Sequence, residues 1–144
     1  MQGVDEDSAR RWLQDQGVTS ARWLTEILDG FDFSQPAYLQ PLFEGDVIYQ
    51  YVRRPEHQLL APNRGNWFCL IGASPAYLAI FGGLAGRELR RFQVESQLIA
   101  LEGTSARKDI EWSWAGGGPG GATQLFVPPY QIARLGASAP HDGW

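Results

Sequence analysis

The hydrophobic pattern of this chain changes near residue 45, from the spacing of helices to the spacing of strands. Before that point, two segments carry an apolar residue every three to four positions, which predicts two amphipathic helices with one apolar stripe each. Ser8 caps the first predicted helix and Gly17 ends it. Thr19 or Ser20 caps the second, and Gly30 ends it. Both helices are expected to lie on a sheet.

The segments after residue 45 are short and rich in β-branched and aromatic residues, which predicts about five strands. They lie at 46–52, 66–71, 88–94, 97–102 and 123–127. Helices followed by strands predict an α+β fold with a mainly antiparallel sheet. The 144 residues fit a single domain, with a helical part at 1–30 and a β core at 45–135.

The connecting segments carry their own signals. Pro36 and Pro41 predict an extended connection between the helices and the sheet. Pro75 opens a short predicted helix over 75–80, and residues 103–105 are expected to cap a helical turn that reaches residue 108. The tail after Gly136 is expected to fray.

Composition excludes several classes of function. The net charge of −4 argues against a nucleic-acid partner, because binding to a phosphate backbone needs a basic face. No apolar run is long enough to span a membrane, so no membrane partner is expected. Cys69 is the only cysteine, which rules out an internal disulfide and a zinc cluster, and no metal site is predicted. Its apolar neighbours predict a buried, unreactive thiol.

The glycine-rich segment at 116–121 leads into an apolar strand that begins with one amide side chain, Gln124. Glycine permits positive φ angles and a close approach of the backbone to a ligand. Gln124 is therefore predicted to be presented to a bound molecule by a mobile loop. The alternative is a surface hairpin with a solvated glutamine.

Familiar hydrolase motifs are absent from the sequence. It has no Gly-x-Ser-x-Gly elbow, no His-Glu-x-x-His pair and no Walker loop. His57 and His141 lie in polar segments, where a histidine is more often solvated than catalytic. No helix follows the glycines at 116–121, which argues against a Rossmann dinucleotide fold.

Polar and aromatic residues instead collect at the ends of the predicted strands. Arginines beside glycines suit a pyrophosphate, which accepts bidentate guanidinium hydrogen bonds, although a solvated role is the alternative for each. Aromatic rings can stack on a nicotinamide or adenine ring. The candidate binding residues are Tyr51, Arg53, Arg54, Arg64, Asn66, Trp67 and Phe68, and the candidate polar groups on the strands are Gln50 and Gln124.

Four segments in order resemble a known family. They are GDVIYQYV at 45–52, RGNWF at 64–68, SPAYLAI at 74–80, and TQLFVPP at 123–129 after the glycine-rich segment. This order, which covers roughly residues 30 to 135, resembles toxins of the ADP-ribosyltransferase superfamily. It is most similar to C-terminal domains of bacterial polymorphic toxins of the type 46 class. NAD glycohydrolase toxins typified by the tuberculosis necrotizing toxin share a related pattern.

The resemblance implies a small, split sheet that grips NAD+ or NADP+ as a substrate, with no further cofactor. It implies delivery by a bacterial secretion system into the cytoplasm of a target cell, and a cognate immunity protein. Gln50 occupies the position where transferases of this superfamily usually carry an arginine, so one of the three candidate arginines would hold the phosphates. Ser105, with Thr104, is the nearest match to their serine–threonine–serine element. Trp67 and Phe68 would together shape the ring pocket.

The sequence departs from the transferase pattern at the last strand. The usual catalytic glutamate stands two residues after a Gln or Glu, and Phe126 holds that position after Gln124. A neutral amide can hold a ribose hydroxyl or a water but cannot deprotonate an acceptor. The interpretation is therefore an NAD(P)+ glycohydrolase. The alternatives are a mono-ADP-ribosyltransferase that uses Glu102 or Glu111, and a non-catalytic binding or immunity-type module.

Overall fold

The computed structural model describes residues 2–53, 66–70, 87–106 and 121–140. These residues form eight strands and three helices. In chain order they are β1 (Gln2–Val4), α1 (Glu6–Asp15), α2 (Ala21–Asp29), β2 (Ala37–Leu42), β3 (Val47–Arg53), β4 (Trp67–Cys69), β5 (Arg87–Val94), β6 (Leu98–Thr104), β7 (Thr123–Phe126), α3 (Pro129–Ile132) and β8 (Leu135–Pro140).

Both N-terminal helices form where the sequence predicts them, but the cap of α1 differs. Asp5 is the N-cap, and its carboxylate accepts a hydrogen bond from the backbone N–H of Ser8 at 2.7 Å. That bond lowers the pKa of Asp5 because it favours the ionised carboxylate. The prediction that Ser8 caps the helix is therefore wrong, since an aspartate three residues earlier supplies the acceptor. Ser20 caps α2 as predicted, and α2 ends at Gly30.

The eight strands form one sheet in the order β1-β2-β6-β7-β4-β3-β5-β8, and all pairings among the described strands are antiparallel. This confirms the α+β class and the mainly antiparallel sheet. The five predicted strands are all present within two residues of their expected bounds. The sheet is larger than predicted, because β1, β2 and β8 were not recognised as strands.

Two of the missed strands, β2 and β8, are held extended by pairing with strands that are distant in sequence. The extended connection around Pro41 is β2, which pairs with β1 on one side and β6 on the other. The prediction that the tail frays after Gly136 is wrong as far as Pro140, because these residues belong to β8, which pairs with β5. Residues 103 and 104 end β6 rather than cap a helical turn. The predicted helix at 75–80 and the glycines at 116–120 lie outside the described residues.

One face of the sheet is covered by α1 and α2 and is called the helix face below. Successive side chains of a strand point to opposite faces, so every second residue of each central strand contributes to it. Its buried cluster joins the two helices to the middle of the sheet and includes Leu13, Ile27, Phe31, Leu101 and Phe126. The apolar stripes expected from the sequence therefore pack as predicted.

The opposite face is called the inner face, because it lies on the concave side of the sheet. One buried cluster contains Ile48 and Phe92, from β3 and β5, together with Leu98 and Ala100 from β6. β5 and β6 are four positions apart in the strand order. Only residues 95–97 join Val94 of β5 to Leu98 of β6, and this link is too short to cross four strand spacings of about 4.8 Å, so the sheet is strongly curled.

The two halves meet where β3 and β4 pair, at a place called the junction below. Among the described residues, β3 and β4 share a single paired position, Tyr49 with Cys69. Beyond it, β3 continues along β5 as far as Arg53, while β4 continues along β7. The sheet is continuous through the junction, and its halves diverge from there.

Candidate functional site

Gln124 lies on β7, between β4 and β6, and its side chain is on the helix face. It stands opposite Cys69 on one side and Gly103 on the other. Only 7% of the residue is exposed, and its side-chain Nε2 donates a hydrogen bond to the backbone oxygen of Gly30 at 2.5 Å. Gln124 is therefore a buried, anchored group rather than the solvated glutamine of the alternative interpretation.

Two glycines allow the aromatic rings to approach this site. A Cβ atom at Gly30 would lie 2.9 Å from Cη2 of Trp67, and one at Gly103 would lie 2.7 Å from Cδ1 of Phe31. Neither distance is tolerated by real side chains, so a larger residue at either position would push a ring away. Glycine at these positions permits the close packing around Gln124.

Ser105 lies next to the end of α2, where Gln124 is anchored. It is buried and forms an isolated β-bridge with Phe31, directly after Gly30. The backbone N–H of Ala106 donates to the Gly30 oxygen at 3.0 Å, so this oxygen accepts from both Ala106 and Gln124. Ser105, which follows β6, and Gln124 of β7 thus each lie near the end of α2, one bridged to Phe31 and the other bonded to Gly30.

An aromatic cluster packs beside these groups on the helix face. The indole of Trp67 lies 5.3 Å from the ring of Phe31 and 5.0 Å from that of Phe126, measured between centroids. Trp23 of α2 approaches Phe126 edge-on at 5.9 Å. At these distances, edge-to-face and tilted ring pairs stabilise the fold through electrostatic attraction between the rings as well as through burial of apolar surface.

Trp67 and Phe68 do not line the same side of the sheet. Phe68 is 3% exposed on the inner face, where it packs edge-on against Phe92 at 5.3 Å between centroids. Trp67, its neighbour on β4, points to the helix face. The expectation that both rings shape one pocket is corrected here, because consecutive residues of a strand point to opposite faces.

Gln50 lies on β3 at the junction, and its side chain is on the inner face beside Ile48. It is 7% exposed, and its Nε2 donates to the backbone oxygen of Trp67 at 2.8 Å. This bond spans the gap where the backbone pairing between β3 and β4 has ended. Its Oε1 is buried and has no hydrogen-bond partner among the described residues.

The remaining predicted binding residues fall into two groups. Asn66 exchanges two hydrogen bonds of 2.8 Å with the backbone of Val127, so it fastens the start of β4 to the end of β7. Tyr51 and Arg53 lie on β3 beyond the junction, as their backbone pairing shows. Their side chains lie outside what the structure describes, as do Arg54 and Arg64 entirely.

Glu102, the carboxylate considered for a transferase, lies on the inner face. Its neighbour Gly103 stands directly opposite Gln124, so the side chains of Glu102 and Gln124 are on opposite faces of the sheet. Burial raises the pKa of Glu102 above its ordinary value of 4.5. The sheet therefore separates this carboxylate from Gln124. Glu111 is outside the described residues.

Cys69 is free and buried, as predicted. Burial raises the pKa of its thiol to about 12, so the nucleophilic thiolate is scarce at neutral pH. Across the described ranges, no three His, Cys, Asp or Glu side chains come close enough to hold a metal ion. No helix in those same ranges has the length and apolar character needed to cross a membrane.

Sequence reasoning missed the part played by Gly30 and Phe31. Gly30 was read only as the end of a helix, yet its carbonyl anchors Gln124 and its lack of a side chain admits Trp67. The sequence feature that could have drawn attention to them is the pair Gly30-Phe31 directly after an amphipathic helix. That signal gives no indication of a partner 94 residues away.

Comparison with known proteins yields similarity in structure rather than in sequence. No protein-family model matches this chain. No curated protein matches it significantly. A chain in the solved structure of Tse6 in complex with Tsi6 superposes with a TM-score of 0.71 at 23% identity, over 94% of this chain and 93% of that one. The two chains share a fold.

A second solved structure is less similar. It is Rhs1-CT in complex with its cognate immunity protein RhsI1, with a TM-score of 0.49 and 22% identity over 79% of this chain and 86% of that chain. The common fold is therefore taken from the first comparison alone.

Proposed function

We propose that this chain is the NAD(P)+ glycohydrolase domain of a bacterial toxin, with an ADP-ribosyltransferase-like fold. The observation that carries the proposal is the buried Gln124, anchored to Gly30, while the buried Ser105 is bridged to the next residue, Phe31. The resemblance in sequence assigns the ribose contact to this glutamine. The fold shared with a chain of the Tse6–Tsi6 complex supports the same class of protein.

The chemistry follows from the neutral carboxamide. The glycosidic bond between C1′ and the pyridinium nitrogen breaks, and its electron pair neutralises the ring, so nicotinamide leaves without needing a proton. A water attacks C1′ and releases a proton to solvent, which gives ADP-ribose. Gln124 would orient a ribose hydroxyl or this water through a hydrogen bond. The bond to Gly30 fixes the amide for that task.

The proposed setting follows from the same resemblance. The substrate is NAD+ or NADP+, no separate cofactor takes part, and the domain acts in the cytoplasm of a target cell after delivery by a secretion system. The similar chain belongs to a complex of two proteins, which supports a cognate immunity protein as the partner. It equally favours a second candidate, a non-catalytic binding or immunity-type module.

The test is to incubate the purified protein with NAD+ and NADP+ and to separate the products by chromatography. Nicotinamide and ADP-ribose, or its 2′-phosphate, are expected. Gln124→Ala is expected to lower the rate about a hundredfold or more. The matched control is Gln93→Ala, an exposed glutamine of β5, which should retain full activity. Thermal unfolding of both variants checks that Gln124→Ala is folded.

The outcomes separate the candidates. If the wild-type protein leaves both dinucleotides intact, the glycohydrolase proposal fails. Radiolabel transferred from NAD+ to macromolecules in a cell lysate would indicate the transferase instead. Expression inside a bacterium should stop growth if the domain is a toxic enzyme, whereas a binding module should leave growth unchanged.

A further inference from the structure

The backbone oxygen of Gly30 decides which end of the Gln124 amide points away from α2. It accepts from Nε2 of Gln124 at 2.5 Å and from the backbone N–H of Ala106 at 3.0 Å. A carbonyl oxygen carries no proton and can only accept, so a second oxygen cannot take the place of Nε2. The nitrogen of the amide therefore faces Gly30, and the oxygen of the amide faces away from it.

Gly30 also stands at the negative end of a helix dipole. It is the C-cap of α2, a helix of nine residues with no basic side chain in its last turn. The last carbonyl groups of a helix have no partner within the helix and carry partial negative charge. A hydrogen-bond donor is favoured beside them, and an anion is disfavoured. The end of α2 thus suits a neutral donor, which the amide of Gln124 supplies.

The immediate neighbours of Gln124 would not compensate a negative charge at its position. Its paired residues are Cys69 on β4 and Gly103 on β6, and neither is a cation. Burial raises the pKa of the Cys69 thiol to about 12, so this thiol is neutral at pH 7. The residues that flank the pair Gly30-Phe31 in the chain, Asp29 and Asp32, are both acidic. A carboxylate at position 124 would therefore be buried against an acceptor.

We infer that the carbonyl of Gly30, at the end of α2, is the positioning group of the site and that it excludes an ionised carboxylate from position 124. This inference rests on the proposed function and narrows it. Gly30 acts through Gln124 and does not itself contact the substrate. Since position 124 admits a neutral donor and no carboxylate, it cannot supply a general base to an acceptor, which favours hydrolysis over transfer.

A backbone carbonyl cannot be removed by substitution, so the test changes its partner. Gln124→Glu keeps the size of the side chain and replaces the donor with a carboxylate. At about pH 8 its kcat/KM for NAD+ should be about tenfold or more below that of the wild type, because two acceptors oppose each other. A protonated carboxyl can donate to Gly30 as the amide does. The ratio of variant to wild-type kcat/KM should therefore rise about tenfold from about pH 8 to about pH 5.

Thermal unfolding at the same pH values gives a readout that does not depend on catalysis. The folded variant should hold its proton more tightly than the unfolded chain, so its stability relative to the wild type should fall as pH rises. Gln93→Glu, at an exposed position of β5, is the matched control and should show neither pH dependence. Asp29 and Asp32 are present in all three proteins, so the comparison with the wild type removes their titration.

Two results would overturn the inference. One is a Gln124→Glu variant that keeps wild-type kcat/KM and stability at about pH 8. The other is a loss that stays the same down to about pH 5, since an effect of shape alone does not depend on protonation. If the wild type leaves NAD+ intact, the proposed function fails, while the pH dependence of unfolding still tests the role of Gly30.

A variant that folds at neither pH shifts the test to the wild type. The side-chain amide protons of Gln124 should then exchange with solvent more slowly than those of the exposed Gln93, because one of them is bonded to Gly30. Nuclear magnetic resonance of the two side-chain amides measures this difference. Equal exchange rates would also overturn the inference.

Discussion

The two buried glutamines at the centre of the sheet are alike in exposure and different in surroundings. Gln124 and Gln50 are each 7% exposed, and each donates its Nε2 to a backbone oxygen, that of Gly30 at 2.5 Å and that of Trp67 at 2.8 Å. Gln124 lies beside the end of α2 and the aromatic cluster of the helix face. Gln50 lies at the junction, where the backbone pairing ends and its Oε1 has no partner among the described residues.

The difference shows that burial alone does not decide what a polar side chain does. On the helix face, the amide joins α2 to β7 and supports the packing around it. On the inner face, a similar amide bridges two diverging strands and retains an unused acceptor. The first amide is held in place by its bond to the Gly30 oxygen, as the proposed contact with the ribose requires, whereas the second holds two strands together where their backbone pairing has ended.

The largest expected effect tests how far the helix face depends on its aromatic cluster. Phe126→Ala should lower the free energy of unfolding by about 3–5 kcal/mol, because it leaves a cavity between Trp23 and Trp67. Urea denaturation measures the change. Phe43, which is 54% exposed, provides the control, and Phe43→Ala should change stability by about 0.5 kcal/mol or less. Similar losses in both variants would contradict the assignment of the core to this cluster.

The next effect compares the two glutamines directly. Gln124→Met should cost about 1–3 kcal/mol, since it removes the side-chain bond to the Gly30 oxygen beside the end of α2. Gln50→Met should cost less, because it loses the bond to the Trp67 oxygen but also removes the unpaired Oε1. Both are measured by urea denaturation without ligand. An equal or larger loss for Gln50→Met would break the comparison.

The smallest effect concerns the carboxyl on the inner face. Burial raises the pKa of Glu102, so the folded state holds its proton more tightly than the unfolded state, and stability falls as pH rises from about 4.5 through the folded pKa. Glu102→Gln should therefore stabilise the protein at pH 7, by about 0.5 kcal/mol or less because the group is partly exposed.

The pH dependence distinguishes this cause from a general effect of charge. The gain from Glu102→Gln should disappear below about pH 4, where the carboxyl is protonated in both states. Thermal unfolding at several pH values measures it. Glu44→Gln, at an exposed turn, is the control. A gain for Glu102→Gln that stayed constant down to pH 3 would rule out the burial explanation.

Much of the fold could be predicted because its signals are local. The apolar stripes of α1 and α2, the cap at Ser20 and the stop at Gly30 are encoded within a few residues of where they act. The five predicted strands form for the same reason. β2 and β8 were missed because prolines and small residues make weak strand signals, and only their pairing with β6 and β5 holds them extended.

For the candidate site too, the sequence indicated individual residues but not the contacts between them. The sequence offered Gln50 and Gln124 as polar groups on the strands, the resemblance offered Ser105, and all three are buried. Neither revealed that Gln124 bonds to Gly30, or that Gln50 faces the other side of the sheet. The expectation about Trp67 and Phe68 failed for a related reason, since it ignored the alternation of faces along β4.

The sequence by itself determined the order and type of most elements, since helix and strand periodicity act over a few neighbouring residues. Only the tertiary structure decided which strands are neighbours and which face each glutamine occupies. The physical reason is that pairing joins residues as distant as Gly30 and Gln124, and that a shift of one residue in register moves every side chain of a strand to the other face.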